Sequence, residues 1–62
     1  MTLKVSIMGR DPNGLREDLE GFLDGREAAS QEDADRLLNE FLQTIDGRTT
    51  GADRLAIEFI PE

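Results

Sequence analysis

An α+β fold in the order strand, helix, helix, strand is predicted by three features of this sequence. Both ends alternate apolar and polar residues, two apolar stripes of helical period lie between them, and glycine or proline punctuates the junctions. The 62 residues allow one domain, 1–62, near the lower size limit at which a hydrophobic core alone can hold a fold. Cysteine is absent, so neither a disulfide framework nor a thiolate metal site can supplement that core.

The first strand is expected over Leu3–Met8, where Leu3, Val5 and Ile7 alternate with Lys4 and Ser6 and Gly9 ends the run. Asp11-Pro12-Asn13-Gly14 has two readings. Asp11 can cap a helix with Pro12 at its first position, or the four residues can make a tight turn. Leu15, Leu19, Phe22 and Leu23 follow at i, i+4, i+7 and i+8, which places them on one stripe and turns Glu17, Asp18, Glu20 and Asp24 outward. Gly25 suits the left-handed position that closes a helix.

The second helix is expected from Gln31 to Asp46. Ser30 can accept the backbone N–H of Asp33 while the Asp33 carboxylate reaches back, a weaker relative of the glutamate capping box. Ala34, Leu37, Leu38, Phe41, Leu42 and Ile45 keep a 3.6-residue period, and Gly47 stands at the stop. Thr49-Thr50-Gly51 reads as a loop. A second strand is then expected over Leu55–Ile60, where Leu55, Ile57 and Phe59 alternate until Pro61 ends it.

Strand one up, helices down and up, and strand two down make an antiparallel ribbon covered on one face by a helical hairpin. The alternation selects the register. Leu3 faces Phe59, Val5 faces Ile57 and Ile7 faces Leu55 on the covered side, while Lys4 meets Glu58 outside. A slip of one residue would bury that charged pair. Two strands leave both edges open, which a second copy could cover by forming a four-stranded sheet across a homodimer. Lys4, Ser6, Met8, Ala56, Glu58 and Ile60 are the expected dimer or strand-edge residues.

Function is less legible than fold, since no motif carries chemistry. Without His, Cys or Tyr, catalysis would rest on carboxylates, hydroxyls or Lys4, so no enzyme, catalytic residue or cofactor is expected. Asp11-Pro12-Asn13-Gly14 begins like a calcium loop, but glycine falls at the fourth place instead of the sixth and Phe22 occupies the place of the bidentate glutamate. No metal site is expected. Gly47 to Gly51 lacks the strand-glycine-helix context of a phosphate cradle. No apolar run reaches the length of a membrane span, and Met1-Thr2-Leu3-Lys4 does not lead into a signal-peptide core, so a cytoplasmic protein with no membrane partner is the expectation.

Charge supplies the remaining signal. Eleven of the fourteen carboxylates lie between Asp11 and Asp46 with only Arg16, Arg26 and Arg36 among them, a formal −8 for the middle of the chain. That sign opposes direct nucleic-acid binding, and all three phenylalanines sit on core stripes instead of forming a stacking platform. The first expectation is a small acidic protein-binding module or inhibitor that engages a basic protein surface through Glu17, Asp18, Glu20, Glu32, Asp33, Asp35 and Glu40. A row of carboxylates of this kind can also act as a nucleic-acid mimic. The second expectation is a homodimeric structural or adaptor protein that binds through its sheet edges, its acidity serving solubility or salt adaptation. A third is a ligand-binding or catalytic unit assembled across a dimer.

Overall fold

A computed structural model describes residues 2–45 and 51–61 of the chain. Its elements are β1 (Thr2–Ile7), α1 (Leu15–Leu23), α2 (Gln31–Thr44), a 3-10 turn (Ala52–Arg54) and β2 (Leu55–Ile60). The strands pair antiparallel in the expected register, with Leu3 opposite Phe59, Val5 opposite Ile57, Ile7 opposite Leu55 and Lys4 opposite Glu58. Period-two alternation explains its parity, because a slip of one residue would separate the six apolar side chains onto two faces, and among the in-phase registers this one pairs all six with one another. β1 begins one residue before the expected boundary. Its pairing still reaches Met8, whose N–H donates to the Arg54 carbonyl at 3.2 Å.

Both readings of Asp11-Pro12-Asn13-Gly14 contain part of the answer. The four residues form a turn, with the Gly14 N–H donating to the Asp11 carbonyl at 3.3 Å and Gly14 itself in the left-handed region at φ 66°. Pro12 therefore lies in the turn, and Leu15 is the first helical residue. Asp11 still caps the helix across the turn. Its carboxylate accepts the N–H groups of Leu15 at 2.8 Å and Arg16 at 3.1 Å, two donors that the helix itself leaves unsatisfied.

At α2 the Ser30 hydroxyl accepts the Asp33 N–H at 3.3 Å, and the Asp33 carboxylate accepts the Ala29 N–H at 3.0 Å, one residue further back than a capping box reaches. The helix runs to Thr44 and Ile45 closes it. Asp46, Gly47, Thr49 and Thr50, which carry the expected stop and the start of the loop, lie outside the described residues.

The two helices cover one face of the ribbon. Leu15, Leu19 and Leu23 of α1 meet Ala34 and Phe41 of α2 over Val5, Leu55 and Ile57, forming one core whose periphery includes Leu38 and Phe59. Phe22 and Phe41 pack with ring centroids 5.5 Å apart and planes tilted by 58°, a favourable aromatic arrangement. Among the described residues no polar or charged side chain is buried. Chemistry-bearing groups are therefore all at or near the surface.

Candidate functional site

The carboxylates are distributed unequally between the helices. Glu17 and Gly21 of α1 and Asp24, which caps its C-terminus, follow at i, i+4 and i+7, with Asp18 and Glu20 beside them, and all five are exposed. The one cation in α1 is Arg16, whose Nε lies 3.3 Å from Glu20. On α2, Glu32, Asp35 and Glu40 are exposed and Asp33 is half-buried, with Arg36 as the one base, spread over a helix of fourteen residues. Both helices are therefore negative, and the acids are packed more densely on and beside α1, where four exposed carboxylates fall between Glu17 and Asp24.

The seven acids singled out from sequence also differ in their engagements. Glu17, Asp18, Glu32 and Glu40 are exposed and make no ion pair among the described residues. Asp33 is half-buried and doubly used, because it caps α2 and stands 3.5 Å from Arg36. Asp35 accepts a hydrogen bond from Gln31 at 3.0 Å. Glu20 holds Arg16. Three of the seven thus support local structure as well as charge.

Gln31, which carries no local signal of importance, organises one edge of the sheet. Its side-chain Nε2 donates to the Ile57 carbonyl at 2.8 Å, and its Oε1 accepts the Phe59 N–H at 2.8 Å. A carboxamide offers the same donor and acceptor as a peptide group, so it occupies the positions that a neighbouring strand would take. Asp35 fixes the amide's orientation, because its carboxylate accepts the second N–H of Nε2. The outward edge of β2 is therefore clamped at Ile57 and Phe59.

β1 has no such cover. Since Ile57 and Phe59 direct their backbone groups away from β1, their partners Val5 and Leu3 direct theirs away from β2, and Ile7 follows by alternation. Among the described residues no strand pairs with that edge. Lys4, Ser6, Met8, Ala56, Glu58 and Ile60 are exposed on the uncovered face of the ribbon. Their backbone groups point into the ladder, so the open edge itself belongs to Leu3, Val5 and Ile7. An open groove of about 540 Å³ runs between this edge and α1, lined by Leu3, Val5, Glu20, Gly21, Leu23 and Asp24.

The sequence pattern turns Asp24 outward with the other acids of the first helix and gives Gly21 no distinguishing signal. Their shared stripe with Glu17 was visible in the spacing, but the strand that α1 lies beside was not. Among the described residues, no three or more carboxylates gather in reach of a metal ion, and no helix is long and apolar enough to cross a membrane. Compared with known protein families, curated proteins and solved structures, the chain matches none.

Proposed function

We propose that the protein acts by binding, as a small acidic module that presents α1 to a cationic surface of a protein partner, without chemistry of its own. The close spacing of exposed carboxylates on and beside α1 carries this reading. Glu17, Asp18, Glu20 and Asp24 are exposed on or beside nine helical residues whose single cation is already engaged by Glu20. A surface of one sign raises the encounter rate with a partner of the opposite sign and gives it orientation. Helix stability accounts for only part of this arrangement. An acid helps near a helix N-terminus, where Glu17 and Asp18 sit, but Asp24 stands at the end where the dipole is already negative.

The test is a titration of poly-L-lysine against the protein along a potassium chloride series. Binding should weaken steadily with salt, as expected for screened charges. Reversing Glu17 and Asp18 to lysine on α1 should weaken binding more than reversing Glu32 and Glu40 on α2. If circular dichroism instead shows structure increasing into molar salt while no binding is seen at any concentration, the acidity serves salt adaptation and the reading fails.

A further inference from the structure

Three features of the groove between β1 and α1 contribute nothing to holding the fold together. The outward N–H and C=O groups of Leu3, Val5 and Ile7 form a strand edge with no partner among the described residues, whereas the opposite edge is clamped by Gln31. Gly21 occupies an exposed position inside α1, where a Cβ would meet nothing within 4 Å, so neither packing nor backbone conformation requires a glycine there. Asp24 adds a carboxylate to the helix end that least favours one. All three line or border one groove, whose floor is Leu3, Val5 and Leu23 and whose rim is Glu20 and Asp24.

We propose that this groove accepts an extended, cationic segment of a partner protein as an antiparallel third strand beside β1. Its alternate residues are lysine or arginine. In an antiparallel ladder, residues opposite Leu3, Val5 and Ile7 send their side chains to the helix-covered side and their backbone groups to β1. A lysine or arginine in such a position lays its alkyl stem on the apolar floor and brings its charged head to Glu20 and Asp24. The missing side chain at Gly21 keeps the channel between those two carboxylates open. Intervening residues fall on the uncovered face, beside Lys4 and Ser6, where small or β-branched side chains fit.

Charge decides against a second copy as the occupant. Another chain adds a further formal −7 and sets its own Glu20 and Asp24 against this pair. Arg16, the nearest base on α1, is already held by Glu20. Strand addition to an exposed edge takes affinity from backbone bonds and specificity from alternate side chains, which is the division of labour this groove offers. The inference rests on the acidic-module reading and narrows it to one edge and one sequence pattern.

The experiment uses calorimetric titration of the full chain with nine-residue synthetic peptides of one composition. One alternates lysine with valine, and its isomer groups the lysines in a block. Two further forms of the alternating peptide are N-methylated, one on its lysine amides and one on its valine amides. The alternating peptide should bind at least tenfold more tightly than the block isomer. Methylation at lysine should erase that advantage and methylation at valine should leave it. Gly21→Gln, which fills the channel without changing the charge while favouring the helix, should weaken the alternating peptide about tenfold and leave the block isomer unchanged. Equal binding of the two isomers overturns the groove and leaves the acidic module standing. Failure of every cationic peptide to bind removes both. Sedimentation of the free protein as a dimer with the outward β1 amides protected from exchange would assign the edge to a second copy and overturn the proposal.

Discussion

The two edges of this ribbon meet water differently although their strands have the same length, the same alternation and the same apolar face. Along β2, one side chain from the first turn of α2 satisfies a carbonyl and an amide that would otherwise invite another strand. Along β1, α1 packs its leucines over the strand but sends no side chain to the backbone. Natural sheets guard exposed edges with charge, proline, bulges or covering elements. Here the guard on one side is a carboxamide anchored on a helix, and among the described residues the other side has none.

The largest effect should come from asking whether the two flanks share one core. Leu19 of α1 is fully buried and Phe41 of α2 is nearly so. Leu19→Ala should cost about 2 to 5 kcal/mol and Phe41→Ala about 3 to 5 kcal/mol. A core of this size supplies only about 3 to 5 kcal/mol of net stability, so either change should unfold both flanks together in a urea titration. If Leu19→Ala frees β1 while β2 amides stay protected, the flanks are separate units and the contrast between them runs deeper than one side chain.

A smaller effect isolates the clamp. Gln31→Ala removes two hydrogen bonds to β2, each contributing about 0.5 to 1.5 kcal/mol, and should leave the core intact. Hydrogen exchange reads the result residue by residue. In the native protein the Phe59 amide should exchange far more slowly than that of Val5, and Gln31→Ala should bring the two together. Continued protection of Phe59 in that variant would mean that the clamp is not what closes the edge.

The difference between the edges also explains what could be read from sequence. Register was legible because one pairing both keeps charge off the covered face and matches Leu3, Val5 and Ile7 with Phe59, Ile57 and Leu55, and the α2 start was legible because Ser30 and Asp33 act within four residues. Gln31 was not, because its partners lie 26 and 28 positions away. No local pattern separates a glutamine that clamps a distant strand from one that faces solvent. The start of α1 was ambiguous because an aspartate before Pro-Asn-Gly favours turn and cap alike, and here it makes both. For the acids, composition gave the sign of the field, while the nearness of Glu20 and Asp24 to an open strand edge followed only from the placement of β1.

Gly21→Ala sharpens the open edge with a modest gain. Because the position is exposed and a Cβ there meets no atom within 4 Å, the substitution should stabilise the helix by about 0.5 to 1 kcal/mol, raising the urea midpoint. Loss of stability would show that the glycine is needed by the fold, and its proposed part in keeping the groove open would lose its basis.

The smallest effect tests whether the contrast arises in the ribbon or in the helices that flank it. Lys4 and Glu58 stand opposite each other on the uncovered face. Lys4→Glu places like charges there and should cost about 0.2 to 1 kcal/mol, and the penalty should shrink in molar salt. Combining it with Glu58→Lys restores an opposite-charge pair and should recover most of the loss. Neither change touches Gln31 or the groove, so Phe59 should stay protected and Val5 exposed in all three proteins. If reversing these charges alters exchange at either edge, the ribbon's own twist and register control edge exposure, and the helices cannot be its sole cause.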